Sequence, residues 1–410
     1  MSRIRIKNFG PVKAGCTDND GWIDIKKVTL FIGNQGSGKS TVAKLISTFL
    51  WIEKALVRGD YKKEWFEENN KFIKFLGYHR LENYIVSNEP RRTPEIEFQG
   101  EIYIFKYQKE VLSIKKINDN QYTLPQIMYV PAERNFISYV RFPKELNITS
   151  LALNEFLGVF ENAKTAMKDS IKLPINNALL QYDRLNDNLN IKGGDYRVRL
   201  SHASSGFHSI VPLYLVSKYL SESVKNVESN IHLMSNEQAA KFKNESNMIM
   251  NNSEFTEQQK RLALSTLSSK FNKGEFINIV EEPEQNLYPS SQWELLKSLL
   301  TFNNYSSGNK LIMTTHSPYF INYLSLVIQA NQIMDKGPAE KQLSKLKKIV
   351  PLGALTKSDD VVIYQLDERG GTISRLDNYD GVPSDKNYLN FELEQGNVLF
   401  DRLLEIEEEL

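Results

Sequence analysis

The chain has 410 residues, 41% of them hydrophobic, with 51 basic and 50 acidic side chains and a net charge of +1. That length buries a substantial core, and the near-neutral charge excludes a basic nucleic-acid-binding surface spread over the whole molecule while leaving room for a local basic groove. A single cysteine, Cys16, excludes an internal disulfide and a cysteine-based zinc site, and no apolar run resembles a signal peptide or a membrane span, so we expect a soluble, cytoplasmic protein with no membrane partner.

Residues 3–9 alternate apolar and polar as a half-exposed strand, "WIDI" at 22–25 reads as its partner, and "VTLFI" at 28–32 is a buried strand bounded by glycine. Val42, Leu45, Ile46, Phe49 and Leu50 recur every three or four residues, which predicts a helix with one apolar face on a sheet. From about residue 60 the pattern turns aromatic and charged, and "IEFQGEIYIFKY" with "VLSIKKI" predicts antiparallel strands. "QIMYVPAERN" at 126–135 is a strand running into a loop, and 150–185 reads as helices. "DYRVRLSHASSGFHSIVPLYLVSKYL" passes from strand to loop to a helix that Pro212 should bend early. Residues 221–272, rich in Ser, Asn, Glu and Lys and poor in aromatics, read as an inserted helical arm. "EFINIVEEPEQNLYP" and "NKLIMTTHSPYFINYL" are two more buried strands followed by polar loops and helices, and the tail carries a hairpin, "VVIYQLDERGGTISRL", before an acidic helix. The expected division is 1–220 as the first part of a core, 221–272 as the arm, 273–330 as the second part of the core and 331–410 as a C-terminal extension.

"GNQGSGKS" at 33–40 fits G-x-x-x-x-G-K-[ST] between a predicted strand and a predicted helix. Gly33 and Gly38 let the backbone curl so that its N–H groups face phosphate oxygens, with Asn34, Gly36, Ser37, Gly38, Lys39, Ser40 and Thr41 forming the ATP cradle. Lys39 reaches the outer phosphates and the Ser40 hydroxyl binds Mg²⁺. Strand 276–280 delivers Glu281 and Glu282 to the carboxyl edge, where phosphate sites lie. Two acids suit two jobs: Glu281 to hold hydrated Mg²⁺, and Glu282 to orient or deprotonate the attacking water. Asn278, polar inside that apolar strand, has no explanation in the pattern. A lone histidine is usually structural, but His316 ends another strand roughly 35 residues past the acids and is a candidate γ-phosphate sensor. "SHASSGFHS" at 201–209 is a small-residue loop opening a helix; such loops are common caps, and Ser204, Ser205 and Gly206 gain meaning only beside the other three elements.

Taken in the order P-loop, signature-like loop, paired acids and histidine, the four elements resemble the ABC-type ATPases, in particular the RecF, SMC and OLD group of cytosolic ATPases, over most of residues 1–325. The opening "IRIKNFGPV" looks like that group as well. The resemblance implies an α/β fold: a P-loop NTPase core of ABC type with a mixed β-sheet flanked by helices, a helical lobe and the inserted helical arm. It also implies ATP hydrolysis with ATP and Mg²⁺ in a homodimer or higher homo-oligomer, the Ser204, Ser205 and Gly206 turn of one subunit closing on ATP held by the other. "ASSGF" keeps one glycine where that group has Leu-Ser-Gly-Gly-Gln, and its Asp-Glu pair is Glu281–Glu282 here. No glutamine loop is evident; Glu133 or Arg134 of "PAERN" stands where it would lie, near Mg²⁺ or phosphate.

Roughly 75 residues separate Gly206 from Glu281, so the arm should project from the core, while the tail is too short for the Toprim nuclease of OLD proteins. Compact ATPases of this sort look like the ATPase components of bacterial phage-defence systems, such as the AriA subunit of PARIS and the PtuA subunit of Septu. That likeness implies a sensor or scaffold whose ATP-bound oligomer controls a separate nuclease or toxin effector until a phage trigger alters it. The alternative is a RecF/SMC-like DNA-binding repair ATPase, for which "PRR" at 90–92 and "YRVR" at 196–199 supply local positive charge. A transporter's nucleotide-binding subunit fits less well, since about 250 residues suffice for one, and a non-hydrolysing P-loop protein has little use for Glu282.

Overall fold

The computed structural model describes residues 2–68, 70–85, 93–119, 122–140, 148–228, 236–271 and 274–409. Three short strands, Arg3–Lys7 (β1), Gly15–Cys16 (β2) and Ile23–Asp24 (β3), precede the fully buried Val28–Gly33 (β4). Helix Lys39–Arg58 (α1) ends at Gly59, whose left-handed φ of 82° turns its N–H back onto the carbonyls of Ala55 and Leu56. Short helices Lys63–Glu67 (α2) and Lys71–Leu76 (α3) lead to Glu95–Gln99 (β5), Tyr103–Gln108 (β6) and Val111–Lys116 (β7), then to Pro125–Val130 (β8). As their alternation predicts, β3, β1, β5, β6 and β7 form one antiparallel sheet in that order. The "PRR" run at 90–92 lies outside the described residues.

Helices Asn135–Tyr139 (α4) and Leu151–Ala166 (α5) follow, but helix stops at Ala166 rather than continuing to 185. Ile171–Lys172 (β9), Leu179–Asp183 (β10), Asn188–Lys192 (β11) and Arg197–Arg199 (β12) instead make a four-stranded antiparallel sheet. Asn176, Asn177 and Asp187 all take positive φ there, so turn chemistry recurs too often for a helix to form.

Helix Ser205–Glu228 (α6) runs through Pro212, and Asn236–Met250 (α7) and Glu257–Phe271 (α8) follow in the stretch expected to be an arm. These helices fold back on the core rather than projecting from it. Leu264 is fully buried, and Arg261, only 2% exposed, lies over the Tyr78 ring at 3.7 Å and the Phe75 ring at 4.8 Å. An arginine on the buried face is what hid that amphipathic pattern from the sequence.

The last third contains Glu275–Glu281 (β13), Pro289–Asn303 (α9), Lys310–Thr315 (β14), Pro318–Asp335 (α10), Glu340–Ile349 (α11), Val361–Asp367 (β15), Thr372–Arg375 (β16) and Tyr388–Glu408 (α12). The main sheet has the order β2-β16-β15-β4-β14-β13-β8, with β15, β4, β14, β13 and β8 parallel and β16 returning antiparallel. Within the segment expected as a C-terminal extension, β15 is a strand of the main sheet, pairing directly with β4 from Val361↔Val28 to Leu366↔Gly33.

Successive side chains of the main sheet enter opposite layers. Val28, Leu30, Ile32, Phe276, Val280, Leu311 and Met313 join one hydrophobic cluster with residues of α5, α6, α9 and α10. Phe31, Ile277, Ile279, Ile312 and Tyr364 join another with α1 and the antiparallel sheet. Asn278 falls on the α6 side, where its amide donates to Ser217 Oγ at 2.9 Å, which accounts for a polar residue in an apolar strand. α12 buries none of its residues: Leu399 is 58% exposed, Phe400 61% and Leu403 63%. Among the described residues no helix is long and apolar enough to cross a membrane.

Candidate functional site

Parallel strands bring the carboxyl ends of β4, β13 and β14 to one edge of the sheet, where the polar loops gather. At the end of β4 a Cβ on Gly33, whose φ is +145°, would come within 2.4 Å of the Leu366 carbonyl oxygen on β15, so only glycine fits under the turn. Gly38, at φ +101°, begins α1, with Ser40 half-buried and Thr41 buried in its first turn. A helix start of this kind presents free N–H groups and the positive end of the helix dipole. The ammonium of Lys39 donates to the carbonyls of Gly33 at 2.9 Å and Asn34 at 2.8 Å, and burial lowers its pKa to about 8. Asn34 donates from Nδ2 to Glu368 Oε1 at 3.1 Å, tying the loop to the turn between β15 and β16.

Glu281 ends β13 fully inside the protein. Its Oε2 accepts from the Ala132 N–H at 3.2 Å. Its Oε1 is buried without a well-formed hydrogen bond, 4.0 Å from Lys44 Nζ. A carboxylate oxygen in that condition and the Ser40 hydroxyl are the hard oxygen donors that Mg²⁺ takes, with water and phosphate completing its shell. The residues present thus fit the ion.

Glu282 sits at φ +43°, a conformation rare for a non-glycine residue, and its N–H donates to the Thr314 carbonyl at 2.9 Å. Its Oε1 lies 3.7 Å from His316 Nε2, while His316 Nδ1 lies 3.5 Å from Lys39 Nζ. Burial and the Lys39 charge lower the His316 pKa, so the neutral ring is favoured. The neutral ring can accept from the Lys39 ammonium through Nδ1, while Nε2 stands farther from the Glu282 carboxylate than a hydrogen bond reaches.

Glu284, which the sequence reading passed over, accepts from the His316 backbone N–H at 2.7 Å through Oε1, and burial raises its pKa. The third acid of "EEPEQ" was its signal. Glu133 is exposed, and the Arg134 guanidinium is wholly buried and bonded to carbonyls. Arg134 therefore takes no place against phosphate or Mg²⁺, contrary to one of the two options for the glutamine-loop position.

Lys39, Glu282, Glu284 and His316 come together in this way. Ser204 and Ser205 are exposed at the start of α6, and a Cβ on Gly206 would stand 3.2 Å from the Asn286 carbonyl oxygen, so the signature-like turn lies against the loop after β13. A cleft of about 960 Å³ opens beside Gly33, Asn34 and His316, and Tyr388 and Phe391 of α12 form part of its wall.

A family model described as an AAA ATPase domain matches residues 1–321. Among solved structures, the chain is similar to the SMC head domain from Thermotoga maritima, with 12% identity, 92% of this chain and 98% of that one covered, and a TM-score of 0.36. It is likewise similar to an Smc head domain with an extended coiled coil, bound to the C-terminal domain of ScpA, from Pyrococcus furiosus, with 10% identity, 98% and 100% covered, and a TM-score of 0.38. No curated protein matches the chain.

Proposed function

We propose, on the premise that this chain belongs to the AAA ATPase domain family and hydrolyses ATP, that it is the oligomerising sensor or scaffold of a bacterial anti-phage system and controls a separate nuclease or toxin subunit. In this proposal Asn34, Gly36, Ser37, Gly38, Lys39, Ser40 and Thr41 bind the nucleotide phosphates. Ser40 and Glu281 hold Mg²⁺, which would neutralise phosphate charge when bound. Glu282 orients the attacking water and accepts its proton, and His316, between Lys39 and Glu282, keeps that carboxylate aimed and senses the terminal phosphate. Exposed Ser204 and Ser205, with Gly206, complete the site of a second copy.

The observation that carries control of a partner is the placement of α12. Its first turn lines the cleft beside the P-loop, and its later turns expose Leu399, Phe400, Leu403 and Leu404. An apolar surface of that kind suits a protein contact, and its start at the nucleotide cleft gives ATP a route to that contact. The test is to express the Glu282→Gln form with its native gene neighbours, purify it with ATP and Mg²⁺, and identify by mass spectrometry what accompanies it. A nuclease- or toxin-like chain in fixed stoichiometry supports the proposal. Duplex DNA with no protein partner, bound with a steep salt dependence, supports the RecF/SMC-like repair ATPase instead, for which Arg197 and Arg199, exposed on the edge strand β12, are the observation in favour.

A further inference from the structure

Arg134 has no assigned role in ATP chemistry, yet its guanidinium is completely buried and spends every donor nitrogen on main-chain carbonyls, those of Glu281 and Glu282 among them. Nη1 donates to Glu281 O at 2.7 Å and Pro131 O at 3.3 Å, Nη2 to Glu282 O at 2.7 Å, and Nε to Ser209 O at 3.2 Å. Burying a guanidinium is unfavourable unless it is well bonded, so the fold retains a cation here only because three chain segments converge on it. Those segments are the loop after β8, the pair of acids at the end of β13, and the first turn of α6. A second link runs beside the first, because Asn286 Nδ2 donates to Ser209 Oγ at 3.1 Å, and Gly206 is close-packed on the Asn286 carbonyl.

We infer that Arg134 is a positioning residue that couples the signature-like turn of α6 to Glu282 of the same chain, so that the two ATP sites of a dimer act cooperatively. The inference rests on the proposal that Ser204, Ser205 and Gly206 complete a partner's site. If they do, ATP held by the partner fixes the start of α6. The guanidinium is a rigid planar fork, so its Ser209 and Glu282 contacts cannot shift independently. The strained backbone at Glu282, with φ +43°, then settles into one geometry and its carboxylate meets the water correctly. Lysine keeps the charge but is a single point and cannot span the same carbonyls.

The test uses the full chain and reads rate against ATP concentration, together with equilibrium ATP affinity. Wild type should show a Hill coefficient above one. Arg134→Lys should lower kcat by about tenfold or more while ATP affinity stays within about threefold, and its Hill coefficient should fall to one. Asn286→Ala leaves the buried cation in place and should lower the Hill coefficient with a smaller loss of kcat, so it carries the test if Arg134→Lys fails to fold. The Glu282→Gln chain isolates the underlying proposal: it should dimerise on adding ATP and Mg²⁺, read by sedimentation velocity, and should stay monomeric when Ser205→Arg is added. Dimerisation that Ser205→Arg abolishes upholds action across a dimer, and dimerisation that Ser205→Arg leaves unchanged, or no dimerisation, overturns that action and the coupling with it. A dimer lost with Ser205→Arg, accompanied by unchanged Hill coefficients in both Arg134→Lys and Asn286→Ala, overturns the coupling alone.

Discussion

Replacing Glu53 by glutamine should flatten the pH dependence of folding stability on the alkaline side of pH 5. Glu53 is completely buried on α1, where its Oε1 accepts from the N–H groups of Ile102 at 2.8 Å and Tyr103 at 3.1 Å, pinning the P-loop helix to the turn between β5 and β6. Burial raises its pKa from 4.5 to about 7. A folded-state carboxyl with a raised pKa holds its proton where the unfolded one has lost it, so the native state binds more protons between these values and stability falls as pH rises through that window. The displacement from 4.5 to about 7 corresponds to on the order of 3 kcal/mol, of which roughly 2 to 3 kcal/mol falls between about pH 5 and pH 8. That is a large share of the roughly 5–15 kcal/mol that stabilises a domain. Glutamine keeps an oxygen for both N–H groups and cannot ionise. Urea unfolding of both proteins at the two pH values measures the difference: wild type should lose about 2 to 3 kcal/mol more than Glu53→Gln over the interval. Parallel losses would show that Glu53 ionises as readily inside the fold as outside it, and would refute the reasoning.

Lys39→Ala should abolish ATP binding, measured by calorimetry; unchanged affinity would remove the P-loop lysine from the site. Glu282→Gln should retain ATP and slow hydrolysis at least about a hundredfold, since loss of a general base has that effect, and normal turnover in a phosphate-release assay would contradict the assignment. Leu399→Glu combined with Leu403→Glu, on one face of α12, should release the co-purifying effector while leaving ATP affinity unchanged; an effector still bound in fixed stoichiometry would remove α12 from the partner contact.

What the sequence made legible was local. The run from β4 through "GNQGSGKS" into α1 could be read because strand period, glycine placement and helix period are written within thirty residues of one another. β15 was recognisable as half of a hairpin, but its partner β4 lies more than 300 residues away, and nothing in either strand names the other. Arg134 was legible as a polar residue in the right loop and no further, because its bonds go to carbonyls of Glu281, Glu282 and Ser209, groups that every residue carries. α8 escaped as a packing helix for a related reason: Arg261 counts as polar in any periodicity, yet its flat guanidinium lies over Tyr78 and Phe75. Glu284 could be seen in the sequence but acts through the His316 backbone N–H, a contact set by the relation of β13 to β14.

Three polar ties connect the acid-bearing strand and its loop to one helix. Asn278 reaches Ser217 Oγ, Asn286 reaches Ser209 Oγ, and Arg134 bridges Ser209 O to the carbonyls of Glu281 and Glu282. Ser209 and Ser217 lie about two turns apart on α6, so the helix is held at two levels, and Val280 of the strand and Val211 of the helix belong to the same hydrophobic cluster. Buried polar ties are unfavourable to break and directional in a way that apolar packing is not. Apolar contact alone would let α6 slide by an ångström at little loss, whereas these bonds tie the exposed end of α6 to the main chain at Glu281 and Glu282. In the proposed coupling, contact at Ser204 and Ser205 reaches Glu282 by way of Ser209 and the single side chain of Arg134.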